Sequence, residues 1–182
     1  MYYDSFESPL GKIHLLADGS GLRQLTLCLH HPVESCKQWK HSPKHLAPFK
    51  KQILEFLNGE RAQFDIPLAP DGTEFQHKVW QILRGIPYGE TRSYADIARE
   101  IGNPKACRAV GMANNVNPIP LVIPCHRVIG SDGELTGYRY GLEIKQKLLT
   151  MEKMATDTVA IFSISCLCRT REVCSRRRYG KR

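Results

Sequence analysis

Cys125 and His126 are the residues of this chain that most clearly suggest a chemical reaction. Their thiol and imidazole directly follow the apolar, proline-containing segment 119–124. A cysteine acts as a nucleophile only as the thiolate, and burial alone opposes the loss of the proton. A neighbouring histidine can take that proton, directly or through a water molecule. Adjacent side chains of an extended strand point to opposite faces, so direct contact would require a turn here. The alternative is a buried structural cysteine beside a surface histidine.

A histidine that takes a proton needs a third group to orient its ring. Glu152, near the end of the last predicted helix, is a candidate. Its distance along the chain says nothing about its placement, so the fold must bring it to His126. The chain has seven cysteines and no visible secretory signal, which favours reduced thiols and a cytoplasmic protein.

Two blocks of different pattern must position these groups. In the first block, short apolar segments alternate with Gly, Pro and Asp turns, which predicts antiparallel hairpins beside a helix. The predicted strands are Met1–Phe6, Lys12–Ala17, Leu22–Cys28 and, as a further candidate, Ala62–Leu68, and the helix covers 46–58. The Asp71-Gly72 pair is the predicted boundary of this block.

The second block is mostly helical. Thr73 to Gln76 form a capping box that starts one helix, and Asn103-Pro104 are predicted to cap and start another. The first predicted helix starts at the capping box and is broken by the segment 86–89, and the others are 93–101, 104–114 and 141–152. Three prolines at 118, 120 and 124 predict a stiff extended segment before Cys125.

The two short helices 93–101 and 104–114 are joined by a tight turn, which is typical of a helix-turn-helix. The second of them carries four small and two basic residues: Ala106, Ala109, Gly111, Ala113, Lys105 and Arg108. Small residues let a helix backbone approach a partner closely, and the basic residues favour DNA as that partner. The alternative is a helical hairpin of the core that binds no partner.

Several segments, taken in order, resemble the O6-alkylguanine-DNA alkyltransferases, also called methylated-DNA–protein-cysteine methyltransferases. The segments are Ile86-Pro87-Tyr88-Gly89, Ser93-Tyr94, Gly102-Asn103-Pro104-Lys105-Ala106, Arg108-Ala109-Val110-Gly111, Asn117-Pro118, Pro124-Cys125-His126-Arg127-Val128, Gly137-Tyr138, Lys145 and Glu152. The likeness is strong over 71–153 and looser over the N-terminal strands.

The resemblance implies an α+β fold, with a ribonuclease-H-like N-terminal domain over 1–70 and a mostly helical DNA-binding domain over 71–153. It also implies direct repair of O6-methylguanine, with O4-methylthymine as a further candidate, in double-stranded DNA. The methyl group would move to Cys125, and since nothing regenerates the thiol, each molecule would act once. DNA supplies the methyl group, so no cofactor is expected. The expected protein is a monomer.

Site residues also follow from the resemblance. The implied DNA contacts are Lys105, Ala106, Arg108, Ala109, Gly111 and Arg127, with the helix in the minor groove and Arg108 filling the space of the flipped base. The implied chemistry uses Cys125 as nucleophile, His126 with Glu152 as its base, Tyr94 as proton donor and Asn117 as the brace of the turn. The implied base contacts are the carbonyls of Cys125 and Val128 and the backbone of Tyr138 and Arg139. For Asn117, a plain turn residue before proline is the alternative.

Two other functions would be compatible with the same residues. A binding module would recognise alkylated guanine without repairing it, and Cys125 counts against this because such relatives lack the nucleophile. A Cys-His hydrolase would need an oxyanion hole and would turn over repeatedly. Transfer of a labelled methyl group from DNA to protein separates all three.

Charge, cysteine spacing and the length of apolar runs each add one expectation. The net charge is +8, of which residues 154–182 supply +5, and this segment is predicted to be a disordered basic tail. The spacing of Cys28, His30, His31 and Cys36 matches no standard zinc finger, so a surface loop is preferred and no metal is predicted. No apolar run approaches the roughly 18 residues of a membrane helix.

Overall fold

The computed structural model describes residues 1–28 and 38–156 of the chain. The N-terminal block forms a four-stranded sheet of β1 (Tyr2–Ser8), β2 (Gly11–Asp18), β3 (Gly21–Cys28) and β4 (Lys40–His41). The strand order is β3-β2-β1-β4, in which β1 to β3 are antiparallel and β4 runs parallel to β1. The three predicted hairpin strands are confirmed, whereas the two-residue β4 is too short to produce a pattern in the sequence.

Helix α1 (Pro43–Leu57) packs on this sheet through an apolar face that includes Leu46, Ile53 and Phe56. Its start three residues before the predicted 46 reflects Pro43, which suits a first helical turn because it needs no amide hydrogen-bond partner. The predicted strand Ala62–Leu68 is wrong. Only Leu68 forms a bridge, parallel to Leu22, in the described residues. Most of the segment has exposed or half-exposed side chains, and so gains little by joining a sheet.

The C-terminal block begins with α2 (Glu74–Arg84), and the capping box predicted at Thr73 and Gln76 is confirmed in both directions. Trp80 of α2 is buried, and its indole nitrogen donates to the carbonyl of Ala113 at 3.0 Å. This bond ties α2 to the helix that lines the candidate site. A short strand, β5 (Arg92–Ser93), then leads into α3 (Tyr94–Glu100), which Ser93 and Asp96 cap reciprocally.

The helix-turn-helix is formed by α3 and α4 (Cys107–Asn115). Gly102 lies between them with φ of +85°, a conformation that favours glycine because it has no Cβ. The prediction of one helix over 104–114 needs a correction, because Pro104–Ala106 form a 3-10 turn before α4 begins. The predicted cap at Asn103 is also wrong, since its side chain makes no capping hydrogen bond.

The last helix, α5, covers 142–156, four residues beyond the predicted end. Residues 154–156 of the predicted tail are therefore helical, and the rest of the tail lies outside the described residues, as does the segment 29–37 with its histidines and Cys36, for which a surface loop is predicted. One hydrophobic core joins both blocks. The amide of Leu25 in β3 also donates to the carbonyl of Pro118 at 2.8 Å, which connects the sheet to the segment before Cys125. Among the described helices, none is long and apolar enough to cross a membrane.

Candidate active site

The segment before Cys125 is a series of turns and not the predicted stiff extended segment. The amide of Ile123 donates to the carbonyl of Ile119, and Leu121 adopts φ of +74°. That conformation costs a residue with a Cβ about 1–2 kcal/mol, so the surrounding contacts must enforce it. Asn117 supplies two of them: its amide donates to the Ile123 carbonyl at 2.8 Å and accepts from the Ile119 amide at 3.0 Å. Asn117 thus lies where the predicted brace belongs.

Cys125 begins a 3-10 turn, Cys125–Arg127, which provides the bend that contact between the thiol and His126 requires. Strand β6 (Val128–Ile129) follows and pairs in parallel with β5. The thiol is buried, and burial raises its pKa to about 11, although Asn117, Lys145 and nearby backbone amides act in the opposite direction. At neutral pH the sulfur therefore keeps its proton until a base removes it.

His126 is fully buried, and its Nε2 lies 2.7 Å from Oε1 of Glu152. Burial lowers the pKa of the imidazole, and the hydrogen bond to Glu152 offsets this only in part, so the ring is neutral at neutral pH. Because the carboxylate accepts a hydrogen bond, Nε2 carries the proton and Nδ1 carries the lone pair. Nδ1 is buried and has no hydrogen-bond partner in the described protein, which leaves it available as a base.

Glu152 accepts hydrogen bonds from several members of this cluster. Burial alone would raise the pKa of the carboxyl, but hydrogen bonds and charge from His126 and Arg127 lower it to about 2. Oε2 also accepts from the amide of Gly89 at 3.0 Å. The structure therefore brings the predicted third group to the predicted base, and Glu152 is ionised throughout the physiological pH range.

Arg127 faces this cluster and not DNA. Its side chain is buried, Nε and Nη2 donate to Glu152 at 2.9 to 3.2 Å, and Nη1 donates to the carbonyl of Ile86 at 2.7 Å. These bonds occupy three of its nitrogen groups inside the protein. The predicted DNA contact by Arg127 is therefore wrong, and the residue holds Glu152 in place.

The segment 86–89 has a role that was not predicted from the sequence. Ile86 accepts from Arg127, the Tyr88 ring lies 5.5 Å from the Arg127 guanidinium carbon, and Gly89 donates to Glu152. Gly89 has φ of +79°, and a Cβ there would lie 2.8 Å from Thr156. The only signal in the sequence was the match of this segment to the family, which gave it no function.

A cavity of about 580 Å³ has Cys125 in its wall. Its lining comes from three elements: Tyr94 of α3, Cys107, Arg108, Gly111, Asn114 and Asn115 at α4, and the loop Thr136, Gly137, Tyr138 and Arg139. Ligand sites of small molecules fall in the same range of volume. The cavity therefore has room for a planar base next to the thiol.

Two polar side chains of the cavity wall stand out. The Tyr94 hydroxyl donates to the carbonyl of Thr136 at 3.3 Å, and burial raises its pKa, so it keeps its proton at neutral pH. The Asn114 side chain is buried beside Tyr94, yet neither its oxygen nor its nitrogen makes a hydrogen bond within the described protein. Its nearness does act to lower the pKa of the Tyr94 hydroxyl. Asn114 was not predicted as a site residue.

The predicted DNA-facing residues of the second helix separate into two groups. Lys105, Arg108 and Ala109 are exposed, and Gly111 is half-buried beside the cavity. Ala106 is buried instead, because it belongs to the same helix face as Val110 in the core. The predicted DNA contact at Ala106 stays a prediction, and the burial of its side chain leaves only its backbone for it.

The predicted base contacts differ in their surroundings. Tyr138 and Arg139 line the cavity, as the prediction requires. Val128 is fully buried, and its carbonyl accepts from Lys145 at 2.6 Å. A carbonyl oxygen has two lone pairs, so the predicted contact of Val128 with a guanine amino group would use the second. No cluster of three or more possible metal ligands occurs within 1–28 and 38–156.

Comparison with known proteins agrees with these features. The family described as 6-O-methylguanine DNA methyltransferase, ribonuclease-like domain, matches residues 1–70, and the corresponding DNA binding domain family matches residues 74–154. The methylated-DNA–protein-cysteine methyltransferase of Methanosarcina acetivorans is 50% identical over 153 residues, 84% of this chain and 98% of that protein. The constitutive enzyme of Bacillus subtilis is 45% identical, over 85% of this chain and 96% of that one. The crystal structure of Mycobacterium tuberculosis OGT in complex with DNA matches with a TM-score of 0.79 at 43% identity, over 85% of this chain and 94% of that one.

A helix-turn-helix beside a cavity that contains a cysteine and its own buried base defines a class of DNA-binding proteins that accept a group from the nucleic acid. Within that class, the chain belongs to the family of methylated-DNA–protein-cysteine methyltransferases, the O6-alkylguanine-DNA alkyltransferases. The predicted α+β fold and the predicted family are confirmed.

Proposed function

We propose that this protein repairs O6-methylguanine in double-stranded DNA by moving the methyl group to the sulfur of Cys125. One observation carries the proposal: a buried thiol lies on the wall of a base-sized cavity and is followed by a neutral histidine whose Nδ1 has no protein partner. The cavity lies against α4 of the helix-turn-helix. A base turned out of a duplex bound at this helix could enter it.

The chemistry is a single displacement. The proton of Cys125 passes to Nδ1 of His126, directly or through a water molecule, while Glu152 stabilises the imidazolium by the 2.7 Å contact at Nε2. The sulfur then forms a bond to the methyl carbon as the carbon–O6 bond breaks, and the electron pair of that bond stays with guanine. The Tyr94 hydroxyl donates a proton to the guanine ring, and the proton from His126 returns to Tyr94 through solvent.

The thioether that results is stable, and the described residues hold no group that would remove the methyl. Each molecule therefore acts once. Every group in the scheme comes from residues 94–152 of one chain, which supports a monomer, and the methyl donor is the DNA itself, which supports a reaction without a cofactor. The predicted cytoplasmic location and activity on O4-methylthymine stay predictions.

DNA binding uses the exposed face of α4. Arg108, Ala109 and Met112 are exposed on this helix, with Met112 at 63%. Small and apolar side chains suit the floor of a minor groove, and a long side chain can fill the space that a flipped base leaves. Arg108 lies at the cavity and is the candidate for that role. Arg108→Ala should slow repair of duplex DNA more than reaction with the methylated base alone.

The proposal is tested with duplex DNA that carries labelled methyl groups on O6 of guanine. The label should move to the peptide that contains Cys125, with a limit of one methyl per protein. Cys125→Ser should abolish transfer, because a serine hydroxyl is a far poorer nucleophile at neutral pH. Cys107→Ser is the matched control, since this half-buried thiol lines the same cavity, and it should transfer normally.

Each other outcome identifies a rival. Binding with retention of the label on DNA would indicate a recognition module. Repeated turnover would indicate a hydrolase or another regenerating mechanism. Label on a cysteine other than Cys125 would overturn the assignment of the nucleophile.

A further inference from the structure

Phe56 is a buried aromatic residue of the N-terminal block whose ring reaches His126 of the C-terminal block. It is the penultimate residue of α1, and its side chain is completely inaccessible to solvent. Its ring centroid lies 6.5 Å from that of His126, with the planes at 64°, and 5.8 Å from that of Tyr88, with the planes at 89°. A third ring, that of Phe64, lies 5.0 Å away. One side chain therefore connects α1 to the base and to the segment 86–89.

The imidazole of His126 has one hydrogen bond to fix it in the described protein. Nε2 is bonded to Glu152, whereas Nδ1, which would take the proton of Cys125, has no partner there. A ring held at one nitrogen can tilt about that bond, and a base must lie within hydrogen-bond reach of the proton that it takes. Packing must therefore limit the tilt, and the edge-to-face contact with Phe56 supplies packing of this kind.

Tyr88 gives Phe56 a second route to the same group of side chains. The Tyr88 ring lies 5.5 Å from the guanidinium carbon of Arg127. Arg127 donates to Glu152, which is itself bonded to His126. Both routes begin at the C-terminal end of α1. Loss of the Phe56 ring would therefore loosen the base directly and its acid indirectly.

Phe56 also takes part in the burial that keeps His126 neutral. The titratable and charged side chains near the imidazole or its acid are Glu152 and the buried Lys145 of α5, Cys125 and Arg127 of the catalytic turn 125–127, and Tyr88 of the segment 86–89. Burial is the largest cause of the lowered pKa of His126, while Glu152 acts against it and Arg127 and Lys145 act with it. The Phe56 ring is apolar, so it excludes water from the imidazole without adding a charge.

We propose that Phe56 is a positioning residue of the base: through its ring, the N-terminal block holds the His126 imidazole beside the thiol and keeps water away from it. Phe56 acts through His126, since the described lining of the cavity comes from residues 94–139. The inference rests on the proposed function in taking His126 as the base.

The first measurement follows His126 without DNA. Histidine is isotope-labelled, and the ring signal of His126 is recorded by NMR over about pH 4 to 8, with His126→Phe identifying the signal by its loss. Phe56→Leu removes the ring and keeps an apolar side chain. Phe49→Leu is the matched control. Phe49 is also buried, lies two turns earlier on the same helix, and makes no aromatic contact with the C-terminal block in the described residues.

We expect Phe56→Leu to raise the midpoint of the His126 titration towards 6.5, because water then reaches the imidazole. The single-turnover rate of methyl transfer at about pH 7.5 should fall about tenfold, because the base no longer keeps its place beside the thiol, and affinity for the duplex should be unchanged. Phe49→Leu should lower the melting temperature about as much as Phe56→Leu, and should leave the titration and the transfer rate as they were.

If the two variants show the same titration and the same transfer rate, Phe56 is only a core residue and the proposal is overturned. A shifted titration without slower transfer overturns it as well, because the ring would then shield the base without positioning it. If Phe56→Leu does not fold, as a melting curve would show, Phe56→Met decides in its place, since a flexible methionine adapts to irregular gaps. If the unmodified protein moves no methyl group to Cys125, the proposed function fails, and the titration without DNA alone decides whether Phe56 controls the imidazole.

Discussion

The N-terminal sheet and the catalytic turn each bury one histidine, and the two side chains have different surroundings. His14 of β2 is almost fully buried beside Tyr3, neither ring nitrogen has a hydrogen-bond partner in the described protein, and burial lowers its pKa against the attraction of Asp4. His126 is also buried with a lowered pKa, but its Nε2 is bonded to Glu152.

The difference shows that burial and a shifted pKa do not make a histidine a base. His14 has no hydrogen-bonded acid to orient it, and it lies in a sheet far from the cavity along the chain. His126 has an ionised acid on one nitrogen, an unpaired second nitrogen and a cysteine as its neighbour. The N-terminal block contributes to the site by packing, since the ring of Phe56 from α1 lies 6.5 Å from the ring of His126.

The same substitution at both histidines tests this comparison most strongly. His126→Phe removes the base, so the single-turnover rate of methyl transfer should fall about 10²–10⁴-fold. His14→Phe replaces an unpaired polar ring by an apolar one, so transfer should be unchanged and the melting temperature equal or higher. Rapid-quench transfer assays and melting curves measure both. Retained methyl transfer in His126→Phe would show that His126 is not the base and that the two histidines do not differ in function.

Two arginines, one in each region, test whether the buried charges of the site stabilise the protein more than ion pairs of the sheet do. Arg127→Met leaves Glu152 buried with one partner fewer, which should destabilise the protein by about 3–5 kcal/mol. Arg23→Met, in the sheet, removes partly exposed ion pairs with Asp18 and Asp71 and should have little effect on stability. Urea unfolding of both variants measures this. Equal, small losses would show that Arg127 is not the structural partner of Glu152 described above.

Asn114 tests whether the cavity reads its base by hydrogen bonds. Asn114→Leu keeps the volume but removes an unpaired amide, so transfer from O6-methylguanine should slow about tenfold to a hundredfold, as for loss of one or two hydrogen bonds to a substrate. Thermal stability should change little, because this amide makes no hydrogen bond of normal geometry in the described residues and interacts only weakly with the Tyr94 hydroxyl. An unchanged transfer rate would mean that the amide makes no contact with the base.

The pH dependence of stability and of transfer rate also distinguishes the two histidines. Each pKa is lowered from 6.5 in the folded protein, so the unfolded chain binds more protons below that pH and stability falls as the pH decreases through it. The transfer rate should fall only below pH 6.5, by up to about tenfold per pH unit, as His126 becomes protonated. His14→Phe should weaken the pH dependence of unfolding and leave the rate profile as it was. A shifted rate profile in that variant would contradict the separation of roles.

Removal of residues 157–182 should have the smallest effect. This segment carries seven basic and two acidic residues, so its loss should lower affinity for undamaged DNA and reduce the slope of affinity against salt. Transfer to Cys125 should continue, because Glu152 is retained. Fluorescence anisotropy at several salt concentrations and a melting curve measure the two effects. A large drop in melting temperature would show that the segment packs on the core.

Local signals in the sequence predicted most elements, but for the long-range contact of His126 with Glu152 they offered only a candidate, which the family resemblance supported. The capping box at Thr73 and the alternation of the hairpin strands depend on neighbouring residues, and both are confirmed. The turns before Cys125 were missed because prolines restrict a chain without specifying its direction. The Asn117 bonds that set the turns reach only two and six positions along the chain, but no pattern of residue types shows that this side chain makes them.

Buried charges were the hardest feature to predict. Arg127 was interpreted as a DNA contact because it is basic and lies in the active-site motif, whereas the fold turns it towards Glu152. The sequence also gives no sign that Pro104–Ala106 form a 3-10 turn, in which the Ala106 side chain is buried. Lys145 appeared only as a matching residue, since no local pattern shows that a lysine has lost its access to water.

The hydrogen bond between His126 and Glu152 joins residues 26 positions apart, and α5 is the last described element of the chain. During synthesis on the ribosome, the cysteine therefore emerges well before the acid that activates its base. A nascent chain that has not yet docked α5 has the thiol and His126 but not the carboxylate that orients and supports the base. Base-assisted transfer therefore becomes possible only when the last described helix has docked and the protein has completed its fold.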